Sequence, residues 1–298
     1  MPRSRRGSPP RRTAAVALTA AAALLAGSAG CSGPPERPRA ERPSPSPRPS
    51  PAWDTSPTSL AAVGDSITRS FNACGVLTDC PPTSWATGSD PRVDSLARRL
   101  LGAKALASRT WNVAESGSRM AALPGQMSRA AAHRPGLVTV LTGANDACRA
   151  DVSVMTPVAE YRASFAESLR TLRAASPKSQ VYVASVPDLR RLWSTGRDAP
   201  LSRQIWKLGL CPSMLGGAED TGRAAERRRT EVYQRVVAYN QALREVCAKD
   251  RLCRYDDGAV FDYRFTGAQL SPFDFFHPSR DGQAKLAEIA YRRVTAQD

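Results

Sequence analysis

Leu60-Ala61-Ala62-Val63-Gly64-Asp65-Ser66-Ile67-Thr68 is the stretch on which the fold turns. A short apolar run stopped by glycine predicts a buried strand, and the Gly-Asp-Ser behind it predicts a turn at the strand's C-terminal end. The same alternation recurs down the chain. Besides 60–63, strands are predicted at 110–113, 137–141, 181–186 and 252–255. Between and after them, 93–106, 158–174, 231–248 and 282–294 carry apolar residues at helical spacing, most clearly in Val158, Tyr161, Phe165, Leu169 and Leu172. Strands alternating with helices predict an α/β domain whose central parallel sheet is covered on both faces. In such sheets a residue just past the C-terminal end of a strand stands at the rim where sites form. Ser66 stands there, although Gly-Asp-Ser alone is also an ordinary turn and helix cap.

Composition bounds the rest. A chain of 298 residues with 42% hydrophobic residues can bury a substantial core. One apolar run near the N-terminus is the only stretch that raises the membrane question, which excludes a multi-span protein. Net charge is +15, with 42 Lys+Arg against 27 Asp+Glu. The cations are scattered arginines without interleaved aromatics, so a nucleic-acid partner is not expected. Arg227-Arg228-Arg229 reads as a solvated helix face.

Residues 1–30 read as an export signal: an Arg-rich start, then the small and apolar TAAVALTAAAALLAG, then Ser28-Ala29-Gly30 before Cys31. Small residues directly ahead of a cysteine resemble the lipobox of bacterial lipoproteins, which implies acylation of Cys31 and a membrane anchor. Plain cleavage and release is the alternative. Residues 31–58 turn to Pro, Ser and Arg, a composition that cannot offset its ordering entropy by burial and so predicts an extended tether. The folded domain is expected over 59–298. Six cysteines follow Cys31, an even number in an oxidising compartment. Spacing proposes Cys74 with Cys80 and Cys247 with Cys253, leaving Cys148 for Cys211, among the 15 connectivities that six cysteines allow. No CxxC pair occurs and only two histidines are present, so no metal site is expected.

Three further segments carry polar chemistry at strand ends or near the C-terminus: Asn112-Val113-Ala114-Glu115-Ser116-Gly117, Gly143-Ala144-Asn145-Asp146 and Asp274-Phe275-Phe276-His277-Pro278. A carboxylate three residues ahead of a histidine can orient the imidazole and stabilise it once protonated. His133, ahead of Arg134-Pro135, reads as a solvated loop residue, which leaves His277 as the imidazole base. A serine hydroxyl needs such a base to attack a carbonyl.

Together, and in this order, the four blocks resemble the SGNH (GDSL-type) serine hydrolases over nearly the whole domain, from Gly64 to His277. The resemblance implies a three-layer α/β/α flavodoxin-like fold and ester hydrolysis without a cofactor. It implies Ser66 as nucleophile, His277 as base and Asp274 as its orienting carboxylate. The oxyanion hole it implies comprises the Ser66 and Gly117 N–H groups and the Asn145 amide. Ser84-Trp85 with Gly88, Leu123-Pro124 with Gln126, and Cys148 just after the Asn-Asp block resemble the phospholipase B-like branch, although Trp85 also reads as a core tryptophan. The leader resembles that of actinobacterial-type exported lipoproteins.

These readings predict an exported, membrane-tethered, monomeric esterase or lipase acting on acyl esters, with lipid or phospholipid esters favoured. Its rivals are an acetyl esterase on polysaccharide or envelope glycan and a catalytically silent envelope-binding lipoprotein. The irregular 194–230, too long and too apolar for a solvated connection, is predicted to wall the acyl site through Trp206, Leu208 and Leu210, with capping of the main core as its alternative.

Overall fold

The computed structural model describes residues 53–297. The predicted leader 1–30, Cys31 and all of the tether ahead of Trp53 lie outside the described residues.

Five parallel strands form one sheet: β1 Leu60–Gly64, β2 Thr110–Asn112, β3 Leu137–Leu141, β4 Gln180–Val183 and β5 Cys253–Tyr255, in the order β2-β1-β3-β4-β5. β1 and β3 pair along their full lengths, from Leu60 opposite Leu137 to Gly64 opposite Leu141, and every residue of both is buried. That explains their predominantly apolar sequences, broken only by Thr139 of β3. Eleven α-helices accompany the sheet among the described residues: α1 Leu96–Leu101, α2 Leu106–Arg109, α3 Leu123–Ala132, α4 Ala144–Ala147, α5 Val158–Ala175, α6 Leu189–Gly196, α7 Pro200–Trp206, α8 Pro212–Leu215, α9 Arg223–Cys247, α10 Ala259–Asp262 and α11 Arg280–Thr295.

The chain steps one way from β1 to β2 and the other way from β2 through β5. Right-handed crossovers therefore put α1 on one face of the sheet and α3, α5 and α9 on the other. α3, α5 and α9 pack side by side, and α11 packs with α1. This is the three-layer α/β/α arrangement expected. The reversal falls between β1 and β3, a topological switch point, where a crevice opens at the carboxyl ends of the strands.

Several sequence readings are corrected. The domain begins before residue 59, because the Trp53 indole donates to the Val294 carbonyl (2.8 Å), lies under the Arg254 guanidinium, and is followed by Asp54, whose N–H donates to Gln180 Oε1. A single aromatic found a groove within a Pro/Ser-rich neighbourhood. The predicted helix 93–106 is split at Gly102, whose φ of +75° ends α1. β4 stops at Val183: beyond it, the N–H groups of Ser185 and Val186 donate to the side chains of Asp256 and Asn240. A helix not among the predicted ones, α3, carries Pro124 in its first turn, where proline is compatible with a helix. The stretch 194–230 is largely helical. Arg229 is not a solvated cation. It is fully buried, lies 4.0 Å over the Trp193 ring, and donates to the carbonyls of Asp220 and Gly217.

Three disulfides form: Cys74–Cys80, Cys148–Cys211 and Cys247–Cys253, the same partners as the spacing proposes.

Candidate active site

β1 ends on a glycine because nothing larger fits. At Gly64 φ is +146°, and a Cβ there would sit 2.2 Å from the Leu141 carbonyl of β3. Both main-chain groups of Gly64 are held by one buried side chain, Gln126 of α3. Its Oε1 accepts from the Gly64 N–H (2.7 Å) and its Nε2 donates to the Gly64 carbonyl (2.9 Å). The same carbonyl accepts from the Ser118 hydroxyl and the Glu115 N–H, so the loop after β2 is fastened to the loop after β1. Asn112 adds a second tie, donating to the Thr68 carbonyl and to Thr87 Oγ1.

Ser66 follows, two residues past the strand. Its Oγ lies 2.8 Å from His277 Nε2, and His277 Nδ1 lies 2.7 Å from Asp274 Oδ2. All three side chains are buried but not sealed, at 7%, 7% and 4% exposure. The Asp274 carboxylate accepts four hydrogen bonds. Oδ1 takes the N–H groups of Phe276 and His277 (both 2.9 Å), and Oδ2 takes His277 Nδ1 and the Asn72 amide (2.6 Å). Burial raises its pKa, but the hydrogen bond and charge of His277, then the Asn72 and Phe276 donors, more than offset that. The carboxyl is held below its usual range. An ionised carboxylate can only accept, so Nδ1 carries the imidazole proton and Nε2 presents its lone pair to the Ser66 hydroxyl. Phe71 and Phe276 pack against the imidazole, each with its ring centroid 5.2 Å away.

The remaining donors expected at the site lie on the loops that follow β1, β2 and β3. Among the described residues, neither the Ser66 N–H nor the Gly117 N–H has a protein acceptor. Gly117 has φ +80° and is exposed, and a Cβ there would meet nothing within 4 Å. Asn145 stands in the first turn of α4, and its Nδ2 donates to the Ser118 carbonyl (2.9 Å) beside Gly117, leaving its second N–H. Gly143, just ahead, has φ +131° and packs under Tyr161 and Val186.

Two buried carboxyls lie behind the rim. Asp65 accepts from the Ile67 N–H, and Asp146 accepts from the Met120 N–H. Burial pushes Asp65 up to about 7, and it raises Asp146 as well. His133 is exposed and stacked on Trp111, with centroids 4.5 Å apart. Trp85 is a core residue. No grouping of three or more His, Cys, Asp or Glu that could hold a metal ion exists among the described residues. A groove of about 730 Å³ between α5 and α9, lined by Ala163, Ala166, Leu169, Arg170 and Val246, contains none of these site residues.

Sequence reasoning missed Asn72, and for Trp206 the structure bears out the alternative reading, a residue packed on the main core. Asn72 stands 202 residues from the carboxylate it binds, in the left-handed region (φ 59°) that asparagine tolerates. Its position after the Gly-Asp-Ser block was the only signal. Trp206 does not wall an acyl path. It is 2% exposed, and its indole N–H donates to the Asp274 carbonyl (2.9 Å). Leu208 is 86% exposed and Leu210 is half-buried.

Solved structures of similar fold include an extracellular lipase from Streptomyces rimosus (17% identity; 80% of this chain and all of that one; TM-score 0.46). Others are a family 3 carbohydrate esterase from Clostridium thermocellum (13%; 79% and 94%; 0.46) and a psychrotrophic esterase from Pseudoalteromonas (15%; 80% and 96%; 0.41). A search of curated protein sequences finds no match. The model of the GDSL-like lipase/acylhydrolase family matches residues 62–285, most of the chain, and the protein belongs to that family of ester-hydrolysing enzymes.

Proposed function

We propose that this enzyme hydrolyses carboxylic esters through Ser66, His277 and Asp274, with lipid acyl esters as its substrates. The observation that carries the reading is the unbroken relay from Ser66 Oγ through the imidazole to Asp274, at 2.8 and 2.7 Å. His277 Nε2 takes the Ser66 proton as Oγ bonds to the ester carbonyl carbon, and Asp274 stabilises the imidazolium that results. Negative charge on the carbonyl oxygen is met by the Ser66 and Gly117 N–H groups and the free Asn145 amide proton. Such donors are each worth about 3–4 kcal/mol of barrier. The imidazolium then protonates the departing alkoxide, leaving an acyl-serine. Water, deprotonated by His277, releases the acid and restores Ser66.

The lipid reading is supported by apolar side chains on the loops that carry the site. Phe71 edges the imidazole. Leu77 and Val76, on the loop pinned by Asn72, are 79% and 63% exposed, and Phe273 of the Asp274 loop is 37% exposed. The Ser84-Trp85, Gln126 and Cys148 signature supports placement in the phospholipase B-like branch. The three disulfides support export, and Ser28-Ala29-Gly30-Cys31 supports a lipid anchor there. With an anchor, Cys31→Ala should release the protein to the medium, and unchanged membrane partitioning would remove it.

The test is a panel of short and long p-nitrophenyl esters, phospholipids and acetylated glycans, run on wild type, Ser66→Ala and His277→Ala. Wild type should turn over the long-chain and phospholipid esters, and each variant should lose nearly all of that while melting normally. Full activity in either variant would overturn the assignment. Turnover of acetylated glycan alone would replace the lipid reading.

A further inference from the structure

Between β4 and α9 the chain leaves the scaffold for residues 189–222 and touches the site at two points. At the first, the Trp206 indole N–H donates to the main-chain carbonyl of Asp274, 68 residues away, from a buried position. Its ring fits a slot that a side chain at Gly196 would fill, since a Cβ there would lie 2.6 Å from Trp206 Cη2. The slot is braced by Ser202, whose buried hydroxyl lies within hydrogen-bonding reach of both the Gly196 and the Ala199 carbonyls. At the second point, Cys211 is bonded to Cys148, the C-cap of α4, the short helix that carries Asn145. Ser213 reinforces the join, its N–H donating to the Arg149 carbonyl (2.9 Å) and its hydroxyl to the Ala147 carbonyl (2.7 Å).

The peptide held by Trp206 is a demanding one. It joins Asp274 to Phe275, and Phe275 has φ +54°, a left-handed conformation that a bulky residue avoids unless its surroundings impose it. That peptide also sits between the carboxylate and the imidazole it orients. Any rotation there moves the Asp274 oxygens relative to His277 Nδ1.

We propose that Trp206 is a positioning residue for Asp274, and that 189–222 is a two-point clamp. It holds the acid–base loop in register with the Asn145 loop, joined covalently at Cys148–Cys211 and through the indole hydrogen bond at Asp274. This role rests on the Ser66, His277 and Asp274 reading. A positioning contact acts on the chemical step, so its loss lowers kcat and leaves KM nearly unchanged. A wall of the acyl site would instead alter KM and chain-length preference.

The experiment uses Trp206→Phe, which keeps an apolar ring in the slot and removes the donor, together with a Cys148→Ser/Cys211→Ser double variant. Wild type and Ser66→Ala are assayed alongside on one short and one long ester. Trp206→Phe should lose about tenfold in kcat on both esters, the worth of one hydrogen bond, with KM within about twofold. The rate at which a phosphonate ester captures Ser66 should fall by the same factor. The disulfide variant should show the same pattern. Because both act on one clamp, the combined variant should lose clearly less than the product of the separate losses. Wild-type kcat and capture rate in Trp206→Phe would overturn the clamp, as would a change in chain-length selectivity or strictly multiplicative losses. If Ser66→Ala kept its activity, the serine mechanism itself would fail, a result separable from normal turnover in Trp206→Phe.

Discussion

Replacing Asp65 by asparagine should stabilise the folded protein above neutral pH, although the residue adjoins the nucleophile. Asp65 is completely buried, and its Oδ2 has no hydrogen-bond partner among the described residues. Burial drives the carboxyl up from 3.8 to about 7. The Ile67 N–H and the favourable influence of His277 recover only part of that cost, and Asp146 adds repulsion. The folded value lies above the unfolded one, so the native state holds this proton more tightly. Stability from this group is fully present below about pH 4, declines as pH rises towards 7, and is flat above. At about 1.4 kcal/mol per pH unit, the decline amounts to roughly 4 kcal/mol. Asparagine cannot ionise, and its Oδ1 can still accept from the Ile67 N–H. Urea unfolding without reductant, at pH 4.5 and pH 8, measures the difference. The variant should gain little at pH 4.5 and up to roughly 4 kcal/mol at pH 8. Asp146 is raised as well, and losing the Asp65 charge relieves its repulsion, so its titration changes in the same direction and adds to the gain at pH 8. An equal difference at both pH values, or a loss at pH 8, would show that Asp65 ionises in the folded protein without penalty.

Asn72→Ala removes a buried donor from the Asp274 carboxylate and the acceptor for the Leu77 N–H, so kcat should fall by about tenfold or more, measured beside melting temperature. Normal kcat would mean that the other donors to Asp274 suffice. Asn145→Ala should lower kcat by about 10²-fold with KM little changed, because in the proposed mechanism its amide meets charge that develops only during reaction. A KM effect alone would place Asn145 in ground-state binding. Gly143→Ala should cost about 2 kcal/mol or more in denaturant unfolding, since φ is +131° and a Cβ would lie 2.6 Å from the Tyr161 hydroxyl. Asp274, held below the usual carboxylate range, stabilises the fold above about pH 4 and loses that as pH falls through its lowered value. Asp274→Asn should therefore differ from wild type most at neutral pH and least near pH 2, in urea titrations.

Local pattern was enough to place the five strands, though not the end of β4. β1 and β3 are fully buried, so burial wrote short, predominantly apolar runs into the chain, and glycine marked the end of β1 because the Leu141 carbonyl leaves no room for a side chain. The loops past the strand ends carry Ser66, Gly117 and Asn145, and these with Asp274 and His277 stood out in the sequence through the resemblance of four short blocks, taken in order, to one hydrolase family. The cysteine partners were legible too, from the spacing of two short loops. What the sequence could not display were contacts whose two ends lie far apart and whose chemistry is common. Asn72 reaches Asp274 across 202 residues, and an asparagine in a loop advertises nothing. Trp206 looked like a wall because an apolar run after a strand suggests one. Only the folded chain, by opening a slot at Gly196 and turning the Asp274 carbonyl towards it, made that ring a support for the acid. Arg229 shows the same limit, since its burial depends on Trp193 and on the carbonyls of Gly217 and Asp220 arriving around it. Composition and periodicity register the average environment of a segment, whereas the partner of an individual polar atom is decided when distant segments meet.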